Sequence, residues 1–222
     1  MLRHYLTTAL RNFQRRPFGT AVNVLALGLG IACFVAAYAT VVYWSGAERH
    51  FAAADRTYAI TANLALRDGS VATGVVPRTG DVVARYLKTD FPELEAVIRA
   101  RPGNGNDVSF TTGERKARLQ LAYVDPDFLD AFDLPFLYGD RATALRQPNS
   151  MVLTESAALR LYGTANPVGR FIQAANDAQA TVTGVIADIP QPSHMGPSAS
   201  AYLRYEVLAS WDVEDSVAGM PR

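Results

Sequence analysis

The sequence has few residues that bind metals or form disulfides. Of its 222 residues, one is cysteine and three are histidine. Cys33 lies inside a long apolar run, so the rest of the chain has no disulfide and no cysteine metal site. The histidines, His4, His50 and His194, are far apart in sequence and match no metal-binding spacing such as HExxH. We therefore predict no metal and no cofactor.

Sequence motifs of catalysis are also missing. No GxxxxGK[ST] segment is present, which excludes a Walker A phosphate loop. Ser156 stands in TESAA rather than in the GxSxG turn of serine hydrolases. Glu93 with Glu95, or Asp125, Asp127 and Asp130, could form carboxylate pairs, but they stand at helix starts and strand edges, where acids are ordinary. We predict that the chain is not an enzyme and has no catalytic residues.

An excess of basic residues is missing as well. Lysine and arginine together number 21, as do aspartate and glutamate, so the net charge is zero. Four of the arginines precede the apolar run, which leaves the rest of the chain acidic overall. Nucleic-acid binding needs a basic footprint and is therefore not expected. About 175 residues follow the apolar run, enough to bury a core without covalent staples.

The most informative feature present is an uncharged segment over residues 17–47. A bilayer core needs roughly 20 apolar helical residues, so this segment is predicted to be a transmembrane helix. The competing interpretation is a cleaved signal peptide, with Ser45-Gly46-Ala47 as its small-residue site. Because signal h-regions are about 7–15 residues long, we favour the retained anchor.

Charges on either side of this segment predict its orientation. Arg3, Arg11, Arg15 and Arg16 precede it without any acid, which predicts a cytoplasmic N-terminus. The following domain is then periplasmic, and the chain belongs to a bacterial inner membrane. Trp44 stands near the outer end, where aromatic rings favour the headgroup level of the lipid bilayer.

Residues 1–16 are predicted to form a basic amphipathic helix on the cytoplasmic surface. Leu6, Leu10 and Phe13 share one helical face, and Arg15 and Arg16 end the segment. This helix either sets only the topology or also contacts a cytoplasmic partner.

Three residues within the apolar segment are candidates for contact with other helices. Asn23 is its strongly polar side chain, and we expect it to hydrogen-bond within the helix or to a neighbouring helix. Gly28 and Gly30 belong to sets of small residues at four-residue spacing, which let helices approach closely. The pattern predicts that this span packs against protein.

Beyond the span, residues 48–222 are predicted to form one mixed domain, so the fold class is α+β with one N-terminal transmembrane helix. Patterns predict strands over 56–64, 94–101, 116–124, 151–153, 180–189 and 201–208, with a loop over 101–107. Helices are predicted over 79–90, over 125–132 with an aspartate cap, and from Thr154 to Tyr162 with Gly163 ending it.

The ordered motifs resemble those of one family, the FtsX-like permeases of ABC transporters with a MacB-like periplasmic core domain. After the basic start and glycine-rich span come ERHFAAADRTYAIT at 48–61 and DFPELE at 90–95. The later segments are VDPDF at 124–128 with Phe132, LTESA at 153–157, LYG at 161–163, NPVG at 166–169 and TGVIADIP at 183–190 with Ser193-His194.

This resemblance implies a permease-type subunit, or part of one, in a mechanotransmission complex. A separate cytoplasmic ATPase would hydrolyse ATP, and the periplasmic domain would move against a second permease copy or engage a periplasmic or outer-membrane partner. Such permeases continue into three more spans, and no second apolar run of that length is present here. The periplasmic domain is therefore expected to be incomplete, as a fragment, a frameshifted product or a short form.

Two other functions stay open from the residues alone. A single-span, membrane-anchored periplasmic sensor or adaptor would bind a ligand and signal inward, although about 16 residues inside leave little room for an output domain. A membrane-tethered hydrolase is a third possibility, but it lacks a recognisable nucleophile or metal set.

Overall fold

The structure is a computed structural model that describes residues 15, 17–65, 71–76, 79–103, 107–113, 115–174, 179–197 and 203–211. The chain divides into two compact units, one ending at Gly46 and one beginning at Ala47. The first unit contains a single described element, helix α1, Pro17–Ser45.

Helix α1 has 29 residues and no buried side chain. At about 1.5 Å per residue it is roughly 43 Å long, which exceeds a hydrocarbon core of about 30 Å. It is long and apolar enough to cross a membrane. Two of its polar side chains satisfy themselves locally, since the Thr40 hydroxyl donates to the Ala36 carbonyl and the Ser45 hydroxyl donates to that of Val42. Local bonding of this kind suits a helix in lipid.

The second unit is built on a mixed sheet to which nine strands contribute among the described residues. The strands are β3 Ala100–Pro102, β4 Val108–Thr112, β5 Arg115–Leu119, β6 Leu121–Val124, β7 Phe136–Gly139, β8 Ser150–Thr154, β9 Phe171–Ala174, β10 Gln179–Ile186 and β11 Val207–Ser210. Their order in the sheet is β3-β6-β11-β8-β10-β9-β4-β5, and β7 also pairs with β10. A separate antiparallel pair joins β1 Ala62–Ala65 to β2 Val71–Val76. The helices of this unit are α2 Asp81–Asp90, α3 Phe128–Ala131 and α4 Glu155–Tyr162.

The central strands bury both of their faces. In β8, Met151 and Leu153 belong to one buried cluster, while Val152 between them belongs to another. Because successive side chains of a strand point to opposite faces, the two clusters lie on opposite sides of the sheet. Helix α4 contributes Ala157, Ala158 and Leu161 to the first cluster, and α3 contributes Phe128 and Leu129 to the second.

Helix α4 follows its sequence signals closely. Thr154 is the N-cap, and its hydroxyl accepts from the Ala157 N–H at 3.3 Å. Gly163 ends the helix in a left-handed conformation, with φ 68°. The predicted bounds of this helix are confirmed, because both caps are encoded in residue types rather than in distant contacts.

Several predicted strands differ from those observed. Of the strand predicted over 56–64, only residues 62–64 are in a strand, and of that predicted over 94–101, only residues 100 and 101 are. The described part of the strand predicted over 201–208 is in a strand only from residue 207. The strand predicted over 116–124 is two strands, β5 and β6, which separate at Gln120. The Gln120 carbonyl accepts from the N–H groups of Glu206 and Val207, at 2.7 and 2.9 Å. This contact lets β5 pair with β4 while β6 pairs with β3 and β11.

The predicted aspartate cap of helix α3 is wrong. The helix begins at Phe128, and its N-cap, Asp127, makes no side-chain cap bond. The Asp125 carboxylate instead binds Arg99, accepting from the backbone N–H at 2.8 Å and from guanidinium Nη2 at 2.7 Å. An aspartate before a helix often caps it, but here a neighbouring arginine provides more donors than the helix end does.

Candidate functional site

The predicted membrane and partner residues fall in the first unit. Leu6, Leu10, Phe13 and Arg16 lie outside the described residues. Arg15 is helical and exposed. Asn23, Gly28, Gly30 and Trp44 lie on α1 with exposed surfaces.

Helical geometry groups these α1 residues only in part. Asn23 and Gly30 are seven residues apart, and Trp44 is fourteen residues beyond Gly30, so these three share one side of the helix. Gly28 faces away from them. A Cβ added at Gly28 or Gly30 would meet nothing within 4 Å. The surface is therefore open at both glycines.

A second candidate site begins three residues after α1 ends. Glu48 has a left-handed backbone, with φ 63°, which is unusual for a residue with a side chain. One of its carboxylate oxygens accepts from the Ser193 hydroxyl at 3.2 Å. The other accepts from the His194 backbone N–H and lies 2.9 Å from His194 Nδ1.

Apolar packing reinforces this polar contact. Phe51 is 9% exposed and packs edge-on against Phe132, with ring centroids 5.7 Å apart. It belongs to the same buried cluster as Met195, whose N–H donates to the Ser193 hydroxyl at 3.0 Å. We call Glu48, Phe51, Ser193 and His194 the junction clasp. It holds the first residues of the second unit to a loop about 146 positions later in the chain.

The clasp is partly shielded from solvent. The Glu48 side chain is 21% exposed, and Ser193 is fully buried. Tyr205 lies fully buried in the same cluster, and burial raises the pKa of its phenol, with the Glu48 charge raising it further. A carboxylate with several donors in a partly dry setting is worth more than an exposed ion pair.

In the sequence, the clasp residues are recognisable only as members of two separate motifs. Glu48 opens the segment after the span, and Ser193-His194 closes the TGVIADIP block. The two motifs contact each other in the folded domain. The presence of both motifs in one chain is the sequence signal for this contact, but the sequence does not show which residues pair.

The clasp joins a carboxylate to a hydroxyl, a backbone N–H and an imidazole. Within the described ranges, no group of three or more His, Cys, Asp or Glu side chains is placed to hold a metal ion. The clasp pairs one carboxylate with hydrogen-bond donors, an arrangement that fixes backbone segments.

The described part of the chain is an apolar helix long enough to cross a membrane, followed by an α+β domain. Comparison with known protein families identifies the family to which this chain belongs. The sequence profile described as MacB-like periplasmic core domain matches residues 20–218. The chain belongs to this family, which confirms the family and the fold class predicted from the sequence motifs. The family supplies components of transporter permeases.

Solved structures with similar folds were also found. A domain of a permease protein from Porphyromonas gingivalis is 21% identical, with a TM-score of 0.49, 63% of this chain and 53% of that chain covered. The extracellular domain of the noncanonic ABC-type transporter YknZ from Gram-positive bacteria is 14% identical, with a TM-score of 0.48 and coverages of 64% and 67%.

The periplasmic region of MacB from Actinobacillus actinomycetemcomitans is 15% identical, with a TM-score of 0.42 and coverages of 60% and 58%. The matched part thus spans little more than half of the Porphyromonas and Actinobacillus chains. A search of curated protein sequences gave no match.

Proposed function

We propose that this chain is a permease-type subunit, or part of one, of an ABC transporter or mechanotransmission complex. A separate cytoplasmic ATPase would hydrolyse ATP, and the energy would move the periplasmic domain. The observation that carries this proposal is the family match over residues 20–218, which includes most of α1 and the described sheet domain.

The proposed placement in the membrane rests on the apolar helix α1 and on the arginines that precede it. α1 crosses the inner membrane with the arginine-rich N-terminus in the cytoplasm and the second unit in the periplasm. The partners are the ATPase, a second permease copy, and a periplasmic or outer-membrane protein. Leu6, Leu10 and Phe13 form the contact with the ATPase, while Asn23, Gly30 and Trp44 face a neighbouring helix.

The junction clasp is the part of the domain through which a pull on the chain after α1 is transmitted. Glu48 is bonded to the 193–195 loop, and Phe51 is packed into the buried cluster behind it. A force applied at residue 47 therefore reaches the domain core within four residues. Without these contacts, the intervening chain would absorb the displacement, because an untethered segment extends before it pulls on the domain.

The first experiment tests the ATPase contact. The tagged chain is purified from detergent-solubilised membranes and probed for a bound nucleotide-binding subunit. We expect an ATPase that is lost when Leu6, Leu10 and Phe13 are all changed to Asp. Thr7→Asp/Thr8→Asp, outside the apolar face predicted from the sequence pattern, is the matched control and should retain the ATPase. A membrane-bound chain recovered alone would contradict the proposed contact and favour a sensor or adaptor anchor.

The second experiment tests coupling through the clasp. Tyr58 is 80% exposed, so Tyr58→Cys in a Cys33→Ser background gives one labelled site per copy. We expect the distance between labels on two copies to change when a non-hydrolysable ATP analogue is added. Glu48→Gly, which removes the carboxylate but suits the φ of 63°, should abolish the change without releasing the ATPase. Asp107→Asn, which changes an exposed acid in another part of the domain, should leave the distance change intact.

A further inference from the structure

A hollow of about 470 Å³ lies at one end of the sheet, far in sequence from the span. Its walls are the turn between β4 and β5, the C-terminal end of α4 and the start of β9. The lining residues are Thr112, Gly113, Arg115, Leu161, Tyr162, Arg170 and Phe171. Its volume falls in the range of about 300–1,000 Å³ typical of small-molecule sites.

Two guanidinium groups line this hollow without a carboxylate partner among the described residues. Elsewhere in the domain, ion pairs are formed by arginines such as Arg56, Arg99, Arg141, Arg146 and Arg160. Arg115 and Arg170 differ from them, although both are exposed. Two arginines beside one hollow give a positive potential and the fork geometry that carboxylates and phosphates match.

Both arginines lie beside the same end of helix α4. The Arg115 guanidinium lies against Gly163, where an added Cβ would be 2.5 Å from its Nη1. The Arg170 guanidinium carbon is 5.9 Å from the centroid of the Tyr162 ring, within cation–π range. Since Tyr162 ends the helix and Gly163 is its C-cap, the two positive charges lie beside neighbouring residues.

Tyr162 forms another part of the wall of the hollow. Its hydroxyl donates to the Phe171 carbonyl at 2.9 Å, which orients the ring. Burial raises the pKa of Tyr162 to about 12, against a smaller lowering effect of Arg170. The phenol is therefore neutral at physiological pH and adds no negative charge to the hollow.

The hollow also has an apolar side. Phe171 is 71% exposed although it begins a strand of the buried sheet. An exposed phenylalanine ring next to two guanidinium groups offers a flat surface for a planar or acyl group. The hollow therefore offers both positive charge and an exposed aromatic ring, whereas a purely electrostatic surface offers charge alone.

We propose that this hollow binds small amphipathic anions. A carboxylate or phosphate group sits between Arg115 and Arg170, and an apolar body lies on Phe171 and Tyr162. The same chemistry occurs in free amphipathic metabolites and in anionic lipid headgroups. This inference does not depend on the proposed coupling to an ATPase.

The test is a binding titration of the full chain, in a non-ionic detergent, with 1-naphthyl phosphate as the probe. We expect inorganic phosphate and 1-naphthol each to bind at least about tenfold more weakly, because each offers half of the recognised chemistry. Arg115→Gln and Arg170→Gln should each weaken the probe at least about tenfold, since a charge-assisted hydrogen bond is lost. Phe171→Ser should weaken it severalfold without affecting the fold, as the side chain is largely exposed.

The matched control is Arg118→Gln. It removes the same charge from the same strand, β5, but Arg118 does not line this hollow. The proposal is overturned if the two arginine variants bind like the parent, or if Arg118→Gln loses as much affinity. Should Arg115→Gln fail to fold, Arg170→Gln and Phe171→Ser still decide the question.

A competition arm separates the two sources of ligand. Displacement of the probe by a short-chain phosphatidylglycerol, but not by its phosphatidylcholine counterpart, supports the site and assigns it to lipid headgroups. Displacement by neither lipid supports the site as one for free anions. Equal displacement by both would show binding without regard to charge and would overturn the proposal.

Discussion

The two units of this chain differ in whether their apolar side chains are buried. Helix α1 has no buried residue, and side chains such as Leu29 are 67% exposed. In the second unit, Leu153 and its neighbours on the central strands are completely buried. The domain supplies its own apolar surroundings, whereas the helix needs a bilayer or other helices. The same residue types therefore have different energetic roles in the two regions.

The largest expected effect comes from matched truncations in the two regions. Leu153→Ala should destabilise the domain by about 2–5 kcal/mol, because it removes buried contacts and leaves a cavity. Leu29→Ala should leave domain unfolding unchanged. Urea unfolding of the detergent-solubilised chain, followed by near-ultraviolet circular dichroism, measures both. Equal losses would show that the span contributes to the stability of the domain.

Two aspartates near helix α3 test the corrected role of Asp125. Asp125→Ala should cost about 1–3 kcal/mol, because it leaves the Arg99 donors without their largely buried acceptor, whose side chain is 16% exposed. Asp127→Ala removes an exposed ion pair with Arg146 and should cost less than about 1 kcal/mol. If the two variants ranked the other way, the helix cap would be the more important interaction. The same unfolding measurement decides between them.

Glycine substitutions sharpen the contrast. Gly163→Ala should destabilise the domain by about 1–2 kcal/mol, because φ is 68°, a left-handed conformation that strains a residue with a Cβ. Gly30→Ala lies in regular helix with open space around it and should not affect domain unfolding.

If the Asn23–Gly30 side of α1 packs closely on another helix, Gly30→Leu should reduce recovery of the second copy in a pull-down. Unchanged recovery would contradict that predicted contact.

The smallest effect at neutral pH is expected for Tyr205→Phe. The Tyr205 hydroxyl is buried and has no hydrogen-bond partner among the described residues, so its removal should be neutral or stabilising by up to about 1 kcal/mol. Urea midpoints at pH 7 check this. A clear destabilisation would mean that the hydroxyl is bonded in solution.

Alkaline pH extends the same comparison. Burial raises the pKa of Tyr123 and Tyr162 to about 12 and also raises that of Tyr205, against about 10 in the unfolded chain. The stability from these neutral phenols is complete below pH 10 and is lost as pH rises towards 12 and above. Tyr205→Phe should therefore reduce the alkaline loss. An identical pH profile for the variant and the parent would contradict this assignment.

Local residue types predicted several elements well. Thr154 and Gly163 encode both ends of α4, and the uncharged run from Pro17 encodes α1. The period-two pattern predicted that residues 116–124 are extended, but the break at Gln120 depends on Glu206 and Val207, about 86 positions away. Asp125 failed as a cap prediction for the same reason, because Arg99 is a tertiary partner.

The candidate sites likewise differ in how much of each is visible in the sequence and how much depends on tertiary contacts. The motif residues Glu48 and Ser193-His194 were visible in the sequence as separate segments, and only folding brings the carboxylate to its donors. Arg115 and Arg170 carried no sequence signal at all, since Arg115 begins β5 and Arg170 precedes β9, with 54 residues between them.

The sequence by itself determined the apolar span and both ends of α4, because each depends on residues within a few positions of one another. It also determined the family, because a set of short motifs follows a fixed order along the chain. The tertiary structure alone decided the strand order, the split between β5 and β6, the junction clasp and the arginine-lined hollow. Each of these joins residues tens to more than a hundred positions apart, and their pairing is selected by the burial of two apolar clusters on one sheet rather than by local preference.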